Sequence, residues 1–336
     1  MESLFPPAIK IDDDTFEYSS PIPGLCIAPN VVEKNWEFDG QGRYDIHSIL
    51  SHPGGHFVTH SSRFRYRTFG NHVGQLDRLT FVAHRHRVIE AFFIDCRIDS
   101  RTFGCRLQLR LVDSPRRRLC IPCGVAHTFS NLEDVVTRND LSIFVDSSNA
   151  SWNVLDDDLS FWWTSEGIET APSVKVNAHP LPETMVRFFY RLQQRAILSG
   201  IESAKNFGVN QRLPGGCQAL QVPTKAETSE HNLVVPSTDS CETGFFTLNL
   251  NGNRSHEFQS NDCLNTIHTF LDRQGELLDF EVLEKSHTLA GSAIARSAWI
   301  CNPAIGLVIP AGVRYRYVGS GQFAVREEHV LPEHLA

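Results

Sequence analysis

A histidine that follows a tight corner is the first residue of this chain whose spacing could serve chemistry. The stretch PCGVAH, residues 122–127, ends on His127, and β-type residues lie on both sides of it. Proline fixes φ and glycine permits positive φ, so this pattern predicts a tight turn between two strands. In a small barrel the second strand would carry His127 at interior depth, where a ligand or a metal ion would sit.

A second group of ligand-type side chains lies upstream, in the pattern His84-x-His86-x-x-x-Glu90. On a strand, His84 and His86 would point to the same face. With His127 they would offer three imidazoles and a carboxylate, a set suited to Fe(II), Mn(II), Ni(II) or Zn(II). The competing interpretation is a charged hairpin tip that faces solvent.

Four arginines form a possible anion-binding group: Arg63, Arg65, Arg67 and Arg78. The first three occupy alternate positions and would share one face of a strand. They could hold a phosphate group of a substrate. The other interpretation is a solvated edge of the sheet.

The elements that must position these residues are mainly strands. Short β-type runs alternate with turn residues from 43 to 145, which predicts an antiparallel jelly roll. Apolar residues at helical spacing from 182 to 207 predict a helix. The polar stretch from 210 to 240, with three prolines and a Gly-Gly pair, predicts a linker.

A β pattern returns from residue 244, and within it the corner recurs as Pro310-x-Gly312. Tyr315 then stands in the place that His127 has after the first corner. We therefore expect an all-β chain of two jelly-roll barrels with one connecting helix. The expected divisions are an arm (1–35), a first barrel (36–181), the helix and linker (182–240) and a degenerate second barrel (241–336).

The segment DCRIDSRTFG, residues 95–104, resembles the Asp-x-Arg-x-x-Ser-Pro-Thr-Phe-Gly segment of the dTDP-4-dehydrorhamnose 3,5-epimerase family. This family is a cupin-fold group of nucleotide-sugar enzymes. The first corner resembles the second cupin motif, and LED at residues 132–134 matches the family's Leu-x-Asp. The resemblance covers roughly residues 40–180 and implies that the barrels are cupins, so the chain would be a bicupin.

The resemblance also implies roles for individual residues. FGNH at 69–72 matches the family pattern Arg-Gly-x-His, which makes His72 the base that removes a proton next to a sugar ketone. His127 would polarise the ketone oxygen. The position of the family's tyrosine acid falls on Asp140, which would be the acid or a bystander.

Three departures from the family pattern accompany these matches. The family's phosphate-binding arginine falls on Phe69, which removes a fixed positive charge and a bidentate contact. Its lysine falls near Thr80. No aspartate stands near 173–176, where the residue that orients the base is expected.

The composition sets limits on the class of protein. With 336 residues, 41% hydrophobic and 21% charged, the chain suits a globular protein of two domains. A net charge of −8 argues against nucleic acid as the main partner. No apolar run approaches the roughly 20 residues of a membrane span. The first residues lack a signal-peptide pattern, and the nine cysteines are typical of reduced thiols, so we expect a cytoplasmic protein.

These observations predict an isomerase or epimerase that acts by proton transfer next to a carbonyl. The substrate would be a small molecule, a nucleotide-linked sugar or a related carbonyl metabolite, and no cofactor would be needed. A homodimer is expected from the arm and the family's strand exchange, although the second barrel could take that surface. Two alternatives remain: a metal-dependent cupin oxygenase or isomerase, and a non-catalytic binding protein on an inactive scaffold.

Overall fold

The computed structural model of the chain is almost entirely β. It describes residues 4–30, 32–37, 42–47, 56–60, 65–83, 87–145, 159–182, 185, 209–221, 225–226, 233–235, 242–250, 255–260, 263–272, 275–284 and 292–330. These residues form 28 strands, one short α-helix and one 3₁₀ turn. The predicted helix from 182 to 207 lies outside the described residues, apart from its positions 182 and 185.

The strands in the first half of the chain are β1 (Ile9–Ile11), β2 (Tyr18–Ser19), β3 (Cys26–Pro29), β4 (Val32–Glu37), β5 (Gly42–His47), β6 (His56–Thr59), β7 (Thr68–Phe69), β8 (Gln75–Val82), β9 (Val88–Asp95), β10 (Arg106–Val112), β11 (Arg117–Ile121), β12 (Val125–Ser130), β13 (Val136–Asn139), β14 (Ser142–Val145), β15 (Phe161–Trp162) and β16 (His179–Pro180). The helix α1 (Ser165–Glu169) lies between β15 and β16. Its first turn is capped by the Thr164 hydroxyl, which accepts a hydrogen bond from the Gly167 N–H.

The strands in the second half are β17 (Val209–Arg212), β18 (Gln218–Gln221), β19 (Lys225–Ala226), β20 (Leu233–Val235), β21 (Glu242–Leu250), β22 (Ser255–Gln259), β23 (Asn265–Phe270), β24 (Leu277–Leu283), β25 (Ala293–Ile300), β26 (Ile305–Ile309), β27 (Arg314–Val318) and β28 (Gly321–Val330). The 3₁₀ turn (Pro214–Gly216) joins β17 to β18.

The first barrel consists of two facing sheets. The larger has the strand order β2-β3-β11-β8-β13-β6-β20-β19, and the smaller has the order β1-β10-β9-β12. Alternation along β9 shows how the core forms, because Ile89, Ala91 and Phe93 enter the main apolar cluster while Phe92 and Ile94 pack on the other face. The apolar face of each sheet is thereby buried against the other.

The second barrel repeats the larger sheet strand by strand and three strands of the smaller sheet. Its larger sheet has the order β17-β18-β26-β23-β28-β21-β5-β4, and its smaller sheet has the order β25-β24-β27-β22. The corner glycines Gly124 and Gly312 have φ of 73° and 71°. At Gly124 a Cβ atom would lie 2.6 Å from Arg97 Cγ, so glycine is needed there for space as well as for φ. The predicted fold of two jelly-roll barrels is confirmed.

The two barrels exchange hairpins within one chain. The β4–β5 hairpin lies between β3 and β6, two strands of the first barrel, yet β5 pairs with β21 of the second barrel, with Ile46 opposite Phe246. In return, the β19–β20 hairpin lies between β18 and β21, two strands of the second barrel, and β20 pairs with β6 of the first, with Val234 opposite Val58. The pairing therefore crosses the predicted domain boundaries in both directions, and the boundaries themselves stay a prediction.

The barrels also pack against each other through their larger sheets. Phe57, Val82 and Val136 of the first barrel form one apolar cluster with Leu271 and Ala324 of the second. Two buried ion pairs occupy equivalent positions on the strand faces that carry Val136 and Ala324: Arg138–Asp140 and Arg326–Glu328. No helix among the residues given above is long and apolar enough to cross a membrane.

Candidate active site

A cavity of about 350 Å³ opens into the first barrel between its two sheets. Its lining combines aromatic and aliphatic side chains with neutral hydrogen-bonding groups, two histidines and one carboxylate. The lining residues are Val58, Tyr66, Thr68, Gly70, His72, Gln75, Asp77, Leu79, Phe81, His127, Thr128, Phe129, Leu132, Thr137, Asn139 and Ser160. An apolar cavity with a few convergent polar groups is the usual form of a small-molecule site.

His127 enters the cavity from β12, directly after the corner. Its backbone N–H and C=O exchange hydrogen bonds of 2.8 and 2.9 Å with Gly70, which fixes the depth of the side chain. The imidazole Nδ1 lies 3.2 Å from the backbone oxygen of Val125. Because a carbonyl oxygen only accepts, this contact places a proton on Nδ1 and directs Nε2 into the cavity.

His72 lies opposite His127 across a glycine. Its backbone oxygen accepts a hydrogen bond of 2.6 Å from the Gly124 N–H, which ties it to the same corner. The two imidazole centroids are 6.0 Å apart. A Cβ atom on Gly70 would lie 4.0 Å from His72 Nε2 and 3.9 Å from His127 Nε2. The missing side chain of Gly70 therefore leaves space between the two rings.

Asp77 supplies a carboxylate between the two histidines. It lies on β8, and its side chain is only 3% exposed. Its Oδ2 is 4.0 Å from His72 Nε2 and 3.6 Å from His127 Nε2. Its Oδ1 accepts hydrogen bonds from Gln75 Nε2 at 2.7 Å and from Asn139 Nδ2 at 2.8 Å. The carboxylate is thus held in one orientation toward both rings.

Sequence reasoning missed Asp77, although a signal for it exists. Positions 75, 77, 79 and 81 alternate along β8 and all line the cavity. A carboxylate at one of these inward positions is costly to bury without partners. The orienting aspartate was sought near 173–176, but here a carboxylate reaches the histidines from a different strand.

The structure brings His72 and His127 into one cavity and leaves Asp140 out of it. Asp140 is buried, and it forms a two-point ion pair with Arg138, at 2.9 and 2.7 Å. Its neighbour Asn139 points into the cavity, so Asp140 points to the opposite face of the sheet. Asp140 therefore does not reach the cavity from this position, and its role as the acid or a bystander stays a prediction.

Of the four predicted phosphate-binding arginines, the three that the structure describes are not in the lining. Arg65 is exposed and paired with Glu133, and the side chain of Arg67 is exposed. Arg78 donates to the Ser142 hydroxyl at 2.8 Å on the face of β8 that points away from the cavity. Arg63 lies outside the described residues. Within the described part of the chain, no arginine or lysine lines the cavity.

Of the metal set predicted from His84, His86, Glu90 and His127, the two members that the structure describes do not come together. Glu90 accepts a hydrogen bond of 3.2 Å from the Ser130 hydroxyl and lies 3.5 Å from Arg110. It shares the outer face of β9 with Phe92, whereas His127 points into the cavity. His84 and His86 lie outside the described residues.

Phe69 fills the position where the resemblance places a phosphate-binding arginine. Its side chain is fully buried and stacks on Phe161 with centroids 5.2 Å apart and on Phe5 at 6.2 Å. Trp163 closes the cluster with an edge contact at 5.9 Å. This aromatic cluster lies on the outer side of the smaller sheet and makes no direct contribution to the cavity lining.

The motif that carries the family resemblance has a structural role. Asp95 is fully buried at the end of β9 and accepts hydrogen bonds from Arg97, Ser100 and Thr102. Burial alone would raise the pKa of Asp95, but these hydrogen bonds outweigh it and the pKa is lowered. The network fixes the turn from β9 to β10.

In the second barrel, aromatic side chains stand at the place that corresponds to Gly70 and His127. Phe258 pairs with Tyr315 across β22 and β27 in the way that Gly70 pairs with His127. The two aromatic rings stack with centroids 5.4 Å apart. An aromatic pair therefore fills the position that a glycine and a histidine leave open in the first barrel.

Comparison with known proteins supports the resemblance for part of the chain. Residues 76–182 match the family model for dTDP-4-dehydrorhamnose 3,5-epimerase. This match confirms the resemblance for that segment, which contains Asp77, His127 and the 95–104 motif and is less than half of the chain. None of the curated proteins matches the chain.

Several solved structures are similar at low identity. One is an RmlC epimerase from Mycobacterium tuberculosis, at 17% identity over 49% of this chain and 82% of that chain, with a TM-score of 0.29. Another is the dTDP-4-dehydrorhamnose 3,5-epimerase from Elizabethkingia anophelis, at 14% identity over 50% and 87%, with a TM-score of 0.31. A third is the 7S globulin of Momordica charantia, at 13% identity over 88% and 81%, with a TM-score of 0.27.

Proposed function

We propose that the first barrel is an isomerase that transfers a proton at a carbon next to a carbonyl, and that its substrate is a keto sugar or a related carbonyl metabolite. The observation that carries this proposal is the convergence of His72, Asp77 and His127 in one cavity. A ring nitrogen of each histidine and a carboxylate oxygen of Asp77 all lie within 4.8 Å of one another. Proton abstraction from carbon needs a base and a donor near the oxygen that gains charge.

In this mechanism His72 Nε2 takes the proton from the carbon next to the carbonyl. The electrons of the broken C–H bond move to the carbonyl oxygen and form an enolate. His127 stabilises that oxygen by donating from Nε2 while its Nδ1–H remains on the Val125 oxygen. For this, the imidazole of His127 must carry a proton on both nitrogens and a positive charge. The Asp77 carboxylate, 3.6 Å from His127 Nε2, favours that charge.

Epimerisation also needs a proton from the other face of the carbon. Tyr66 lines the cavity and carries a phenol, so we assign it the role of the acid, for which Asp140 was the sequence-based candidate. Its proton is delivered to the carbon as the enolate electrons return. Solvent then takes the proton from His72 and restores the proton of the phenol, so both groups return to their starting forms. Thr68, Gln75 and Asn139 offer neutral donors and acceptors that suit the hydroxyl groups of a sugar.

Solvent deuterium incorporation tests this proposal directly. The full-length protein is incubated in D₂O with 4-keto-6-deoxy sugars, both free and nucleotide-linked, and incorporation next to the carbonyl is followed by NMR. We expect His72→Asn to lose about 100-fold or more of the rate, the range of general base catalysis. His179→Asn is the matched control, because His179 is exposed on β16 and is not in the cavity lining.

Two results would contradict the proposal. One is incorporation that is unchanged in His72→Asn while the variant keeps the melting temperature of the parent. The other is the absence of incorporation with every keto sugar tried, which would favour a binding protein on an epimerase-like scaffold.

A further inference from the structure

We infer that His72, Asp77 and His127 form a binding site for one divalent transition-metal ion. The ligand atoms are His72 Nε2, Asp77 Oδ2 and His127 Nε2, which all lie within 4.8 Å of one another. Two imidazoles and one carboxylate with open positions are a ligand set that iron(II) and related first-row ions accept.

The separations between these atoms fit ligands of a shared ion better than they fit hydrogen bonds. The Asp77 oxygen is 3.6 Å from one imidazole nitrogen and 4.0 Å from the other. Hydrogen bonds of this kind are usually about 2.7–3.2 Å long. Two ligands bound at about 2.0–2.2 Å to one ion, with a near-tetrahedral angle, lie about 3.3–3.6 Å apart. Asp77 and His127 meet this spacing, whereas the 4.0 Å between Asp77 and His72 would need an angle of about 130° or more at the ion. His72 must therefore move slightly toward Asp77 when an ion binds.

The surrounding groups orient the ligands as they do in many metal sites. Asp77 Oδ1 is held by Gln75 and Asn139, which leaves Oδ2 for an ion. The Nδ1 of His127 faces the Val125 oxygen at 3.2 Å, which directs the lone pair of Nε2 into the cavity. Partners of this kind fix ligand orientation and raise affinity for the metal.

The site also has an open side. The missing side chain of Gly70 leaves the space near both Nε2 atoms free, and that space is continuous with the cavity. An ion held by three protein ligands would therefore keep positions for water or for a substrate oxygen. This arrangement is typical of reactive metal sites, whereas structural sites are closed by four protein ligands.

This inference concerns the regulation of the site and rests on the proposed function only for its effect on activity. His72 Nε2 cannot take a proton while its lone pair is bound to an ion. Bound metal is therefore expected to inhibit the metal-free proton transfer. Metal binding itself can be measured whether or not the protein is an isomerase.

Titration with Co²⁺ tests the site. The full-length protein is first freed of metal with a chelator, and binding is then followed by calorimetry and by visible absorption. We expect one Co²⁺ per chain with a micromolar or lower dissociation constant. Asp77→Asn and His127→Gln should each weaken binding at least tenfold, since even loss of an outer partner of a ligand costs about 10–100-fold. Both substitutions nearly preserve side-chain size, and melting temperatures check folding.

Glu90→Gln is the matched control. It removes a carboxylate from the outer face of the same barrel, and it should bind Co²⁺ as the parent does. Binding that is lost in Glu90→Gln but kept in Asp77→Asn would overturn the inference. So would the absence of a saturable site, or absorption typical of thiolate ligands that persists in Asp77→Asn.

The outcomes separate this inference from the proposed function. If Co²⁺ binds as expected but no keto sugar exchanges deuterium, the metal site stands and the isomerase proposal fails. If deuterium exchange occurs through His72 but Co²⁺ finds no site, the isomerase proposal stands and the metal site is rejected.

Discussion

At the scale of single residues, the candidate site depends on one carboxylate that two imidazoles share. A carboxylate as buried as Asp77 is costly without partners, and here Gln75 and Asn139 hydrogen-bond one of its oxygens. The other oxygen faces His72 and His127. Its charge therefore acts on the proposed base, His72, and on the proposed hydrogen-bond donor to the enolate oxygen, His127.

Asp140 gives a prediction at the same scale. Asp140→Asn leaves Arg138 buried with only a neutral partner at that position, so we expect about 3 kcal/mol lower free energy of unfolding. The deuterium exchange rate per folded molecule should stay within about twofold, because Asp140 does not line the cavity. Denaturant unfolding and the exchange assay measure the two effects. A lost rate with unchanged stability would return Asp140 to a catalytic role.

At the scale of elements, a polar network crosses the second barrel on β23, β27 and β28. His268 contacts the Tyr317 hydroxyl at 2.6 Å through Nδ1 and Glu327 Oε2 at 2.7 Å through Nε2. Glu327 also faces His329 at 3.3 Å. The network joins neighbouring strands at positions that correspond to the cavity of the first barrel, so we regard it as a stabilising replacement for a site.

This network predicts acid sensitivity. Burial would raise the pKa of Glu327, but hydrogen bonds from His268 and His329 outweigh it and hold the pKa below its ordinary 4.5. A pKa that is lower in the folded state contributes stability above pH 4.5, and this is lost as the pH falls toward the folded value. The stability difference between the parent and Glu327→Gln should therefore shrink below about pH 4.5. Melting curves from pH 3 to pH 7 measure it.

Glu169→Gln is a control for this experiment, because Glu169 is exposed at the end of α1. Its difference from the parent should stay small at every pH. A parent–Glu327→Gln difference that grows as the pH falls would contradict the assigned pKa direction.

Local sequence signals predicted the elements better than they predicted the site. The corners at 122–124 and 310–312 could be predicted from the sequence because proline and glycine determine their geometry locally. The role of Asp77 could not be predicted from the sequence, because it depends on the pairing of β8 with β13. That pairing brings Asn139 beside Asp77. The exchange of hairpins could not be predicted either, since a hairpin has the same local sequence pattern whichever sheet it joins.

At the scale of the whole molecule, the chain consists of two similar barrels, and each contributes a hairpin to the larger sheet of the other. Strand β5 extends the second barrel and β20 extends the first. The second barrel thus supplies, within one chain, the exchanged strand that a partner subunit was expected to supply. The predicted homodimer is not needed for this exchange and stays a prediction, which light scattering against the 37.8 kDa mass of one chain would decide.

The exchange predicts that the two barrels unfold together. Unfolding either barrel would strip a strand from the other and expose the apolar cluster between them, which contains Phe57 and Leu271. Calorimetry of the full-length protein should therefore show one cooperative transition whose calorimetric and van't Hoff enthalpies agree. Two resolved transitions would show that the barrels are independent and would contradict this interpretation of the exchange.

The central claim is that chemistry occurs in the space between His72 and His127, and Gly70→Ala tests it most directly. The substitution removes no functional group and adds a methyl group 3.9–4.0 Å from both Nε2 atoms. The second barrel already has a large side chain at the equivalent place, Phe258. We predict a deuterium exchange rate at least about tenfold lower, because the substrate is displaced from its reactive position, with an unchanged melting temperature. An unchanged exchange rate in Gly70→Ala would contradict the account.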